Sequence, residues 1–217
     1  MRDLFMHLHE AEVLNVHWTR EIEAEWTRNV FAKQTADPQA IQDCLEGMRA
    51  AAEGWEVAGY AKHTGRFEFV DAKDRHVAAA AYKLLLDDWP GQPVALVTQN
   101  IKDFPQRAFK DTQIVRYAVA AYLDGLHAEA PDIVAKVAEG CRRKLKTPKL
   151  TREEYIAVLM KNGCQGLAQA LANRWSVECP VVAKDGTLHY ATERSFSEAE
   201  RQQAWQPKAL KAFKAAG

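Results

Sequence analysis

Between residues 70 and 104 the chain collects side chains able to hold a hard divalent cation. Asp71 and Asp74 stand at the start of an alanine-rich run, and the apolar stretch Val94 to Val97 leads directly into Thr98, Asn100 and Asp103. Mg²⁺ and Mn²⁺ take carboxylate and water oxygens, and the carboxyl ends of parallel strands are where such groups converge. Aspartate is also a favoured helix cap, because its carboxylate satisfies N–H groups that the first turn leaves orphaned. A cap accounts for one of the two aspartates. It leaves the other, together with Asn100 and Asp103, to be explained.

Positioning these groups requires a helix and a strand. Asp74 can cap a helix from His76 to Asp87, in which Ala78 to Ala81 permit close approach to a sheet. Pro90, Gly91 and Pro93 turn the chain into the strand, and Gln113 to Tyr117 reads as an outer strand. Upstream, Leu4, Phe5, Leu8 and Ala11 recur at helical spacing, and Val13, Leu14, Val16 and Trp18 suggest a short strand closed by the N-cap residue Thr19. In the following helix, Arg20 to Phe31, Ile22, Trp26 and Val30 form a buried stripe; Glu25 lies at its edge and reads on pattern alone as a surface acid. A helix from Asp37-Pro38 to Gly54, a short strand from Trp55 to Tyr60 and a loop from Lys62 to Phe69 complete the approach.

Downstream the pattern turns helical, from Ala130 to Leu145, from Arg152 to Lys161 and on to Trp175, with one basic run, Arg142 to Lys146. That run is a dipole-favoured helix end and a plausible phosphate contact. Residues 180–190 read as a hairpin turning at Asp185-Gly186, and Ser197 with Glu200 caps a final helix interrupted at Pro207. The divisions that follow are 1–128 for an α/β part, 129–175 for a helical extension and 176–217 for a tail.

A chain of 217 residues with 47% apolar composition can bury a core, and its 29 basic and 29 acidic residues create no global field toward nucleic acid or membrane. Four dispersed cysteines with no CxxC pair and no signal peptide are expected to be reduced thiols of a cytoplasmic protein. No apolar run reaches the length of a membrane span, so no membrane partner is expected.

The strings EIEAEWTRN at 21–29, DAKDRHVAAAA at 71–81 and VTQNIKDFP at 97–105 resemble PIN-domain ribonucleases, in the branch that supplies toxins of bacterial toxin–antitoxin pairs. The resemblance spans roughly residues 1–170. It implies an α/β fold with a doubly wound, mostly parallel sheet, a cofactor of Mg or Mn, RNA as substrate and a cognate antitoxin protein as partner; a homodimer is compatible with it. By that match Glu25, Asp74 and Asp103 are the catalytic acids and metal ligands, and Thr98 and Asn100 place or bridge Asp103; Asp71, three residues before Asp74, is a candidate fourth ligand. Arg28, Arg75 and His76 are then nearby candidates for phosphate contacts.

The chain departs from the family pattern at one point. The family begins with an apolar strand ending in an aspartate that supplies the first ligand, and here the similarity starts at Met1 without it. The alternatives are a truncated chain, a fold that has lost activity and binds RNA or antitoxin, or replacement by the strand-then-aspartate stretch Pro180 to Asp185. The expectation is a weakened or inactive ribonuclease as written.

Overall fold

A computed structural model describes residues 1–32, 37–145 and 148–190; the expected final helix after Ser197 and Lys146 of the basic run lie outside them. The elements are α1 (Arg2–Glu10), α2 (Arg20–Ala32), α3 (Pro38–Ala51), α4 (Arg75–Lys83), β1 (Val94–Thr98), β2 (Ile114–Ala118), α5 (Val119–Glu129), α6 (Pro131–Lys144), α7 (Arg152–Lys161), α8 (Gln165–Trp175), β3 (Val181–Val182) and β4 (Leu188–His189). The chain forms two compact units, one of Glu12–Val119 and the other of Met1–Ala11 with the described residues from 120 onward.

In the unit of Glu12–Val119, β1 and β2 pair in parallel, with Val94 opposite Ile114 and Thr98 opposite Ala118. Ala78, Ala79 and Ala81 of α4 lie in one core with Leu96 and Ile114 of these strands and with Phe67, Val70, Phe104 and Phe109. Small side chains let the helix backbone come close, and the phenylalanines fill the remaining volume. Burying each such ring contributes roughly 1.5–3 kcal/mol. The β1–β2 connection carries Asp103 immediately before the buried Phe104, so the core fixes the acid's backbone.

The protein is α/β and mostly helical, and its parallel sheet has two strands. The doubly wound sheet expected from sequence is not seen among the described residues. The expected strands before Thr19 and after Gly54 contract to one parallel rung, in which Trp18 N–H donates to the Trp55 carbonyl and Val57 N–H to the Trp18 carbonyl, both at 2.9 Å. The expected loop at 62–69 is largely 3₁₀ helix, Tyr60–Phe67, because it must turn Phe67 into the core. Helix α4 starts at Arg75, and beyond Lys83 the backbone widens into a π turn, Leu84–Asp88, closed by Trp89 N–H on the Leu84 carbonyl at 2.8 Å. That turn sets both Asp87 and Asp88 within 3.2–3.5 Å of the Lys83 ammonium.

In the other unit α1 packs on α6 and α7 on α8. A reciprocal capping box starts α7: Glu154 N–H donates to Thr151 Oγ1, while the Glu154 carboxylate accepts from Thr151 N–H. The Asp124 carboxylate caps α8, accepting from Leu167 N–H at 2.8 Å and Gly166 N–H at 3.3 Å. All four cysteines are free; Cys141 and Cys164 are buried, and burial, with Asp124 adding to it, pushes the Cys164 thiol up to about 12. Among the described residues no helix is long and apolar enough to cross a membrane.

Candidate metal centre

The carboxyl end of β1 builds its own side-chain scaffold. Thr98 Oγ1 accepts from Asn100 N–H at 3.0 Å, and the Asn100 amide donates to Asp103 Oδ2. A 3₁₀ turn, Ile101–Asp103, then presents the acid. The Asp103 carbonyl accepts from Asp71 N–H at 3.3 Å, which ties the strand end to the approach of α4. The structure thus brings Thr98, Asn100, Asp103, Asp71 and Asp74 to one place.

The capping roles of the two aspartates are the reverse of the sequence expectation. Asp71 is the cap: its carboxylate accepts from Lys73 N–H at 3.2 Å and starts the turn Ala72–Asp74. Asp74, which was expected to cap the alanine-rich helix, makes no side-chain cap bond there. Its Oδ2 is buried without a hydrogen-bond partner. Burial pushes the Asp74 carboxyl up; Lys73 opposes this, and Asp103, Asp71 and Glu25 add to it. The Lys73 ammonium stands 3.9 Å from Asp74 Oδ2 and 3.6 Å from Asp103 Oδ2, and those two acids raise its own pKa. A cation is therefore already drawn to the space between the two acids.

Glu25 joins from α2. Its Oε1 lies 3.5 Å from His76 Nε2, and Glu21, one turn earlier, places Oε2 at 3.6 Å from His76 Nδ1. The Tyr60 hydroxyl donates to that same Glu21 oxygen at 2.9 Å. His76 is 5% exposed and neither ring nitrogen has a hydrogen-bond partner. Of the arginines, Arg28 is exposed on α2 with Nε on the Ala24 carbonyl at 3.4 Å. Arg75 is committed to the carbonyls of Val70 at 3.1 Å and Glu68 at 2.9 Å, where it closes the segment leading to α4.

Mg or Mn takes carboxylate oxygens, and Asp74, Asp103, Glu25 and Asp71 offer them, but among the described residues the group that brings three ligand atoms within 4.8 Å of one another is Glu21, Glu25 and His76. Sequence reasoning missed Glu21, the burial of His76 and the structural acid Glu23. Glu23, rather than Ile22 or Trp26, shares the buried face of α2 with Val30. It accepts from Trp18 Nε1 at 2.9 Å and from Arg49 at 3.0 and 2.5 Å. The signals available were a tryptophan whose N–H needs a partner when buried, and a histidine in helical phase with Ala79 and Ala80.

In the other unit, Arg142 of the basic run is held by Glu139 at 2.9 Å and by the Leu150 carbonyl at 2.6 Å. The stretch through Asp185 does not complete the β1–β2 sheet: β3 pairs antiparallel with β4. The Asp185 carboxylate instead accepts from Thr187 N–H at 2.9 Å and shapes the turn.

A family profile described as VapC50 C-terminal domain matches residues 121–173, which is less than half of the chain and covers α5 from Ala121 through most of α8. No curated protein and no solved structure matches the chain. Over that helical segment, then, this protein is similar to the VapC50 C-terminal domain.

Proposed function

We propose that this chain is a PIN-like, toxin-type endoribonuclease that uses Mg or Mn, with Glu25, Asp74 and Asp103 as its acids, Asp71 as a further ligand, RNA as substrate and an antitoxin protein as partner. The observation that carries the reading is the Asp74 oxygen, buried without a hydrogen bond among carboxylates and met only by the Lys73 ammonium at 3.9 Å. A structural acid is normally partnered, and an unpartnered one in a carboxylate cluster is what a cation ligand looks like in its absence. Two further observations support it: the acid-bearing segment follows the carboxyl end of a strand paired in parallel, and the helical segment resembles the VapC50 C-terminal domain.

The chain's residues divide the work. Asn100 fixes the rotamer of Asp103 and Thr98 fixes Asn100. Asp71 holds the turn that presents Asp74. Lys73 screens the acids from one another, and the exposed Arg28, one turn beyond Glu25, is placed to meet phosphate. When bound, Mg or Mn would lower the pKa of water and stabilise charge developing on phosphate, so no side-chain nucleophile is needed.

The test is Mn²⁺-dependent cleavage of structured RNA. Asp74→Asn and Asp103→Asn should each reduce it on the order of 10²-fold or more. Turnover unchanged in both variants would refute the assignment. The Lys73 ammonium, which already lies 3.9 Å from Asp74 and 3.6 Å from Asp103, favours a second reading, an inactive module of this fold that binds RNA or antitoxin. It predicts binding without turnover and no rise in melting temperature with Mn²⁺.

A further inference from the structure

We propose that Glu21, Glu25 and His76 form a distinct divalent-cation site that prefers imidazole-binding first-row ions such as Zn²⁺ or Co²⁺ to Mg²⁺. Glu21 and Glu25 are four residues apart on α2 and so project from one face. Residue 76 meets them from the first turn of α4, and one ligand atom from each of the three lies within 4.8 Å of the others.

The buried histidine carries the argument. Its side chain is 6% exposed, and both ring nitrogens face carboxylates at 3.5 and 3.6 Å without hydrogen-bonding either. Those separations are long for a hydrogen bond. One ion takes only one of the two nitrogens: the 3.5 Å from Nε2 to Glu25 is close to the roughly 3.4 Å that separates neighbouring ligands around a tetrahedral ion with bonds of about 2.1 Å, and Glu21 brings its ligand atom within 4.8 Å of that pair. Tyr60, by donating to Glu21, supplies the outer hydrogen bond that typically orients a ligating side chain.

The donor chemistry selects the ion. Imidazole with two carboxylates suits Zn²⁺, Co²⁺ or Mn²⁺ and discriminates against Mg²⁺, which demands octahedral oxygen. Glu25 is common to this site and to the acids around Asp74, but nothing here requires RNA cleavage.

The experiment uses the full chain after chelator treatment, titrated with Co²⁺ and with Mg²⁺ and followed by Co²⁺ absorption and calorimetry. Co²⁺ should bind at least about 100-fold more tightly than Mg²⁺ and show the absorption of a four-coordinate ion. Glu21→Gln, which keeps an acceptor for the Tyr60 hydroxyl at a half-exposed position, should weaken Co²⁺ by about 10-fold or more, whereas Asp103→Asn should leave it within about 2-fold. His76→Gln should abolish it. Because that variant alters a buried residue, pulsed electron paramagnetic resonance of Mn²⁺ in the unaltered chain supplies the independent readout, a coupling to directly bound nitrogen.

Co²⁺ binding indifferent to Glu21→Gln, or Mn²⁺ without nitrogen coupling, overturns the site and leaves His76 as a buried side chain packed between two glutamates. Nitrogen coupling without RNA cleavage sinks only the nuclease reading. Cleavage without nitrogen coupling sinks only this site.

Discussion

Glu23 and Asp74 are two acids of the same unit, both largely withdrawn from solvent, and the chain treats them in opposite ways. Burial alone would raise the pKa of each. Around Glu23 that tendency is overcome by hydrogen bonds from Arg49 and Trp18, which hold the carboxyl below its usual range. Trp18 in turn stacks on Trp55 at 4.8 Å, and Arg49 and Arg20 both lie over the Trp55 ring. Around Asp74 the neighbours are mostly acids, one oxygen has no hydrogen bond and only Lys73 at 3.9 Å, and the carboxyl is held above its usual range. Every oxygen of Glu23 is used by the fold, whereas Asp74 keeps an oxygen the fold does not use. That difference separates a structural carboxylate from a candidate ligand more sharply than burial does.

The contrast can be broken in three places. The largest effect belongs to Glu23→Ala, which strands the Arg49 guanidinium and the Trp18 N–H and should cost about 3 kcal/mol. Urea denaturation followed by tryptophan fluorescence reads it, and adding Arg49→Met should recover part of the loss. An unchanged midpoint would show that Glu23 is not structural.

Asp71→Ala removes the bond to Lys73 N–H and should cost about 0.5–1 kcal/mol, whereas Asp71→Asn, which keeps a capping oxygen, should cost only a few tenths. Equal losses in the two variants would mean that charge rather than capping holds the turn.

Asp74→Asn should have the smallest effect on stability near neutrality, and in the opposite direction. With its folded pKa above the ordinary 3.8, Asp74 binds its proton more tightly folded than unfolded, so its contribution falls as pH rises through the folded pKa. Glu23 has the reverse sign: its contribution is present above the ordinary 4.5 and is lost as pH falls through the lowered folded value. Between pH 4 and 7, Asp74→Asn should therefore leave the midpoint unchanged or raise it toward the upper end, while removing the stabilisation conferred by Mn²⁺. A midpoint that drops at pH 7 without metal would place Asp74 with the structural acids.

Sequence patterns resolved the elements whose signals are local. The periodic helices α6, α7 and α8, the strand β1 between turn residues and its apolar neighbour β2, and the Asp185-Gly186 hairpin were all legible. Periods of 3.6 and 2 could not register the 3₁₀ helix Tyr60–Phe67, whose period is near 3 and which contains Thr64 and Gly65. Runs such as Val13 to Trp18 look like strands, but an apolar run does not specify how many rungs its partner will supply. In the candidate site, Asp74, Asp103 and their neighbours were legible because they cluster in sequence around one helix and one strand. Glu21 and His76 meet only in space, 55 positions apart in the chain. Glu23 was hidden because a charged residue on a helix is read as solvated until its distant partner, Arg49, is known.

The cap on α8 has a consequence for how this protein can vary. An added Cβ at Gly166 would stand 2.8 Å from the Asp124 carboxylate, too close for either atom to remain in place. A side chain at position 166 would therefore push the Asp124 carboxylate off its cap, and removing the acid would leave the Gly166 and Leu167 N–H groups without their acceptor, so either change loosens the start of α8. The two positions, 42 residues apart, are coupled through that one carboxylate, and changing both should cost no more than loss of the cap alone.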